Sequence, residues 1–134
     1  MTDGATIGVG VVGLGMISRA HLEGYAAATG ADLVAVCDLD PARAEAEAAR
    51  YGATAYTDLA ALLADPAVDA VALQLPHQLH HKLAKQALEA GKHVIVEKPL
   101  TVTEAEADDL IRTAAQHGAR LAAAENTRFV PAYI

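Results

Sequence analysis

Short apolar runs separated by helix-like segments leave this chain few ways to fold. The runs are TIGVGVVGLG, ADLVAVCD, ATAYTD, VDAVALQLP, KHVIVEKP and ARLAAAE. Several are continuously apolar rather than alternating, the pattern of strands covered on both faces, as in a parallel sheet. Parallel neighbours need crossover connections, and the segments between the runs read as the helices that supply them. MISRAHLEGYAAAT follows the first run. PARAEAEAARYG opens with Pro41 at a first helical position and closes on Gly52. Asp58 is placed to cap LAALLAD, and Pro66 stops it. HKLAKQALEAG puts Leu83, Ala84, Ala87 and Leu88 on one face, and the next helix does the same with Ala107, Leu110, Ile111, Ala114 and Ala115 before ending near Gly118. The expected fold class is α/β, a doubly wound parallel sheet.

Composition narrows the function classes. At 134 residues the chain is long enough for one domain with a real core. Hydrophobic residues make up 53% but aromatic ones only 4%, so alanine, leucine, valine and isoleucine must build that core. A net charge of -7 argues against nucleic acid, which rewards clustered Lys and Arg. It leaves room for an anionic ligand, because helix N-termini hold anions whatever the average charge. The single cysteine, Cys37, excludes an internal disulfide and fits a reducing compartment. His77, His80 and His81 cluster at one helix start with no cysteine beside them, so no metal site is expected. His21 and His93 read as packing or surface residues, and Tyr25, Tyr51 and Tyr56 as partly buried ones. MTDGAT lacks a basic leader, and no apolar stretch reaches the roughly 20 residues of a membrane span. The expectation is a soluble, cytoplasmic chain without a membrane partner.

In doubly wound sheets ligands bind beyond the carboxyl ends of the strands. Gly13, Asp38, Pro76, Glu97, Lys98 and Asn126 all fall at or just past such ends. GLGMIS, residues 13–18, leaves the first strand and opens a helix. Gly13 permits the tight turn and Gly15 a close backbone approach, so that Leu14, Met16 and Ile17 bring their amides to a pyrophosphate. Ser18 takes the place of the third glycine of the dinucleotide fingerprint, and a small residue still allows close helix–strand contact. Asp38 ends the second strand 20 residues past Ser18, the distance expected of an acid that binds adenosine ribose hydroxyls. Its other reading is a helix cap before Pro41, which Asp40 can also supply. No arginine follows Asp38 directly, and Arg43 is a helical turn away, so the pattern predicts NAD over NADP. Glu97 and Lys98 are either a solvated ion pair or charges at a ligand. In the second case the Lys98 ammonium favours alkoxide character on a carbon losing hydride.

At EKP the chain resembles the Gfo/Idh/MocA oxidoreductases, the family of glucose-fructose oxidoreductase and inositol dehydrogenases. GLGMISRAH, CDLDP, LPHQLH, AGKHVIVEKP and AENTRFVP match that family's motifs in order along nearly the whole chain. The resemblance implies hydride transfer between a nicotinamide cofactor and a secondary hydroxyl of a sugar or polyol. It carries cofactor binding onto Leu75, Pro76, His80, Glu97, Lys98 and Asn126, and a catalytic role onto Lys98. Leu75 stands where the family has threonine and His77 where it commonly has asparagine. The resemblance also implies a Rossmann domain over 1–125 and the start of a crossover over 126–134. Beyond that it implies a second α/β domain, absent from this chain, that holds the substrate pocket, the catalytic base and the homo-oligomer interface. A different class stays open: a stand-alone dinucleotide-binding module that regulates and catalyses nothing.

Overall fold

A computed structural model describes residues 4–124 of the chain. Apolar β-branched runs form the strands, and alanine-rich segments wind between them as helices. The order is β1 (Ile7–Val12), α1 (Ser18–Ala27), β2 (Ala31–Cys37), α2 (Pro41–Tyr51), β3 (Thr54–Tyr56) and α3 (Leu59–Leu63). Then come β4 (Ala70–Leu73), a short 3₁₀ turn (His77–Leu79), α4 (His80–Glu89), β5 (His93–Glu97), α5 (Glu104–Gln116) and β6 (Leu121–Ala124). All five strand pairings are parallel, in the order β3-β2-β1-β4-β5-β6. Chain progression reverses between β1 and β4, and that switch point opens a crevice at the carboxyl edge.

Successive strand residues point to opposite faces, so the central strands feed two cores. On one side Val9, Val11, Val36 and Ala72 pack against Leu22 of α1 and Ala44 and Ala48 of α2. On the other, Ala35, Val71, Leu73, Val94 and Val96 meet Leu62 of α3, Ala84, Ala87 and Leu88 of α4, and Leu110 and Ala114 of α5. Alanines on the helices let them sit close to the sheet, and a Leu→Ala change at fully buried Leu88 should cost about 2–5 kcal/mol.

The helix boundaries follow from their caps. Asp40 accepts from the Ala42 amide ahead of Pro41, and α2 ends at Gly52 with φ 68°. Asp58 accepts from the Ala61 amide at the start of α3. Thr103 accepts from the Glu106 amide at the start of α5. One expected face is corrected. Ile111 is 58% exposed and Ala115 is exposed too, while Thr113 lies buried with Leu110 and Ala114. Among the described residues no helix is long and apolar enough to cross a membrane.

Candidate functional site

The turn after β1 allows no side chain at its first position. Gly13 has φ +91°, and a Cβ there would lie 2.2 Å from the Gln74 carbonyl oxygen. Its amide donates to the Cys37 carbonyl at 2.9 Å, which ties the turn to β2. Gly15 faces open space. Ser18 is buried and its hydroxyl donates to the Gly15 carbonyl, so the residue in the third-glycine position also braces the turn. Among the described residues no side chain caps α1, whose N-cap is Ile17. The Ser18 amide donates to the Gly15 carbonyl at 3.1 Å, and the first-turn amides that follow it are left for an external acceptor. Met16 is 98% exposed and Ile17 also points outward, so both offer this turn their backbone rather than a packed side chain.

Asp38 closes the turn from the β2 side. Its Oδ2 accepts from the Leu14 amide at 2.9 Å, and its Oδ1 accepts from the Asp40 amide at 2.9 Å. Because Asp40 caps α2, Asp38 is free of that task. Arg43 Nη1 lies 3.5 Å from Asp38 Oδ2, so the helical turn between them in sequence brings the two side chains together. Burial raises the Asp38 pKa, but the Asp40 and Leu14 amides and the Arg43 guanidinium outweigh it, leaving the carboxyl below its ordinary value. The adjoining crevice, of about 560 Å³, is lined by Gly13, Asp38, Leu39, Leu75, Pro76 and Leu83 among others. That volume suits a cofactor-sized ligand. Beyond it, a cleft of about 360 Å³ borders Gly15 and carries Arg19, Arg43 and Arg50.

The far side of the crevice is built by the segment that follows β4 and by α4, and β5 ends beside β4. His80 is fully buried, with Nε2 2.9 Å from the Leu75 carbonyl oxygen and Nδ1 2.6 Å from that of Pro99. The ring thus links the Leu75–Pro76 segment to the EKP turn from beneath, and its nitrogens face protein rather than the crevice. Glu97 is the last residue of β5, and Lys98 lies in the bend that follows. Lys98 is exposed and, among the described residues, pairs with no carboxylate, so the two are not an ion pair. Glu97 Oε2 instead lies 2.9 Å from His21 Nε2 of α1, although the alignment makes no hydrogen bond and that buried oxygen stays without one.

Sequence reasoning therefore missed His21, which touches the EKP glutamate rather than solvent alone. A signal existed: Ser18, His21, Leu22 and Tyr25 share one face of α1 at spacings of three and four, and Ser18 and Leu22 are buried. Of the three clustered histidines, His77 and His80 meet edge to face with ring centroids 5.6 Å apart, and His81 goes elsewhere. His80 turns inward, while His81 Nε2 reaches Asp109 Oδ2 on α5 at 2.7 Å. Among the described residues no group of His, Cys, Asp or Glu is arranged to hold a metal. His93 is structural, its Nδ1 accepting from the Arg120 amide at 3.0 Å. Asn126 and the expected crossover over 126–134 lie outside the described residues.

Comparison with known proteins agrees with this geometry. Residues 7–125 match the Gfo/Idh/MocA family, described as an oxidoreductase family with an NAD-binding Rossmann fold. Inositol 2-dehydrogenase of Salmonella typhimurium is 37% identical over 119 residues, covering 87% of this chain and 35% of the relative. UDP-N-acetylglucosamine 3-dehydrogenase of Acidithiobacillus ferrooxidans is 38% identical over 123 residues, covering 92% and 38%. Among solved structures, the WlbA dehydrogenase of Bordetella pertussis in complex with NADH and UDP-GlcNAcA superposes with a TM-score of 0.89 at 31% identity, covering 96% of this chain and 40% of that one. KijD10, a 3-ketoreductase of Actinomadura kijaniata in complex with NADP, gives 0.85 at 35% identity, covering 88% and 38%. The chain spans less than half the length of these relatives. With the glycine turn and the acid at the end of β2 at one crevice, and the EKP turn at the neighbouring end of β5, the chain belongs to the Gfo/Idh/MocA oxidoreductase family and forms its NAD-binding Rossmann fold.

Proposed function

We propose that this chain is the cofactor-binding part of an NAD-dependent dehydrogenase acting on a secondary hydroxyl of a sugar or polyol. The observation that carries the reading is the Asp38 carboxylate, fixed by the Leu14 amide beside a glycine turn with no room for a side chain. The residues fit a dinucleotide. Gly13 and Gly15 leave the backbone bare, and the first-turn amides of α1 beyond Ser18 await an anion. A carboxylate offers about four lone-pair sites, so Asp38 can keep its amide bonds and still accept from ribose hydroxyls. A 2'-phosphate beside it would be repelled by roughly 1–3 kcal/mol. Arg43 at 3.5 Å offsets part of that repulsion, which makes the NAD preference a matter of degree.

Bound here, a nicotinamide cofactor supplies or accepts the hydride. The chain's own contribution at that end is Lys98, whose exposed ammonium donates to a substrate oxygen and stabilises the charge that develops on it. The sugar or polyol class is taken from the relatives, which include dehydrogenases of inositol and of UDP-N-acetylglucosamine. Calorimetric titration tests the reading. NAD(H) should bind more tightly than NADP(H), and equal or tighter NADP(H) binding would overturn the role given to Asp38.

A further inference from the structure

Among the described residues, the buried side-chain polar atoms that lack a hydrogen-bond partner are Gln74 Nε2, Gln74 Oε1 and Glu97 Oε2. They are not scattered. The β4–β5 register pairs Leu73 with Val96, so Gln74 and Glu97 follow side by side at the carboxyl edge. Alternation puts both on the sheet face that Ala72 and Ile95 share with α1. Gln74 is only 8% exposed, and it borders the crevice together with Gly13, Leu75 and Pro76.

A buried amide with neither its donor nor its acceptor used is rare in folded proteins, because an apolar side chain of the same shape would be more stable there. Swapping the amide's oxygen and nitrogen does not remove the deficit, since both atoms lack partners. Residues that carry such a penalty concentrate where a ligand relieves it. The complement of an unpaired amide is a group that also carries a donor and an acceptor side by side. A primary carboxamide is such a group, and its N–H groups also suit the Glu97 oxygen, which His21 approaches at 2.9 Å without a hydrogen bond.

We infer that Gln74, seconded by Glu97, recognises the carboxamide of a nicotinamide cofactor. This inference rests on the function proposed above. Gln74 lines the crevice, so rotation about its own side-chain bonds turns the amide toward the ligand without moving the backbone. It is thus a positioning residue: it sets how the ring lies over the strand end from which Lys98 projects.

The test uses Gln74→Met, close in shape but without the amide, with Gln74→Leu as a second variant. Each is titrated with ADP-ribose, with NAD, and with the NAD analogue whose carboxamide is replaced by an acetyl group. Wild type should bind NAD more tightly than the acetyl analogue. The variants should bind ADP-ribose as wild type does, lose about tenfold in NAD affinity, and no longer distinguish NAD from the analogue. Their ligand-free melting temperature should hold or rise. Unchanged NAD affinity, or an equal loss for ADP-ribose and NAD, would overturn the role of Gln74 while leaving the cofactor reading intact. A fall in melting temperature for both variants would show that the amide is already satisfied, with the same consequence. Failure of the wild-type chain to bind ADP-ribose would remove the cofactor reading and this inference together.

Discussion

Single atoms decide much at this crevice. A methyl group at Gly13 would meet the Gln74 carbonyl oxygen at 2.2 Å in a backbone conformation with φ +91°. Gly13→Ala should therefore cost about 1–3 kcal/mol in stability and weaken NAD binding, measured by denaturant titration and calorimetry. Asp38 and Arg43 act on cofactor choice with opposite signs. Asp38→Ser should narrow the gap between NAD and NADP by removing the repulsion of a 2'-phosphate. Arg43→Ala should widen it by removing the cation 3.5 Å away. A larger gap in the serine variant would count against this assignment. Lys98 is exposed and, among the described residues, pairs with no carboxylate, so Lys98→Met should leave melting and NAD affinity nearly unchanged. In an intact dehydrogenase carrying the EKP turn, the same change should lower kcat/KM by about 100-fold, or about 2.7 kcal/mol of transition-state stabilisation. A folded variant keeping more than about half its activity would assign the turn to structure alone.

Beside their apolar packing, α5 and α4 are joined by one carboxylate. Asp109 accepts from Lys85 Nζ at 2.8 and 3.1 Å and faces His81 Nε2 at 2.7 Å, with Arg112 Nη2 at 3.8 Å. The Lys85 and His81 contacts outweigh desolvation and bring the Asp109 pKa from 3.8 to about 2. A folded-state pKa below the unfolded one means stabilisation that is fully present above about pH 4 and is lost as pH falls through about 2. Asp109→Asn should lower the melting temperature near neutrality, and the difference from wild type should shrink between pH 4 and pH 2. A difference that is flat with pH would show that the charge is not what joins the helices. The elements themselves were legible in sequence because their signals are local: Asp40 and Pro41 start α2, Gly52 ends it, and Asp58 starts α3. The inward face of α5 was less so. Spacing alone fits Ile111, but Thr113 takes the buried place because its hydroxyl donates to the Asp109 carbonyl one turn back and needs no water. Asp38 was visible from its distance to the glycine turn. The Glu97–His21 contact and the unpartnered Gln74 amide were not, because each depends on which residues two separate elements bring together.

At the scale of the whole molecule, the crevice lies where the sheet changes direction, with the ends of β1 and β2 contributing one wall and the end of β4 with α4 the other. A ligand that spans it binds only the folded chain, so it stabilises by mass action. At one hundred times its Kd, NAD should add about 2.7 kcal/mol and raise the melting temperature by several degrees. Turnover is a separate matter. Hydride transfer needs the two carbons held about 3–3.5 Å apart and aligned, which requires a wall on the substrate side as well as on the cofactor side. The described residues offer Lys98 at an exposed strand end. Nothing among them covers a sugar seated there, so water would compete for the ammonium and for the reacting oxygen. The 134-residue chain should therefore show a ligand-dependent rise in melting temperature yet no turnover above background with NAD and a panel of polyols and sugars. Differential scanning fluorimetry and an absorbance assay for NADH on the same preparation measure both halves. Robust turnover by this chain would mean that one Rossmann domain encloses its own substrate, and the division of labour proposed for the intact dehydrogenase would fall. Absence of any thermal shift with millimolar NAD would instead remove the cofactor site on which that division rests.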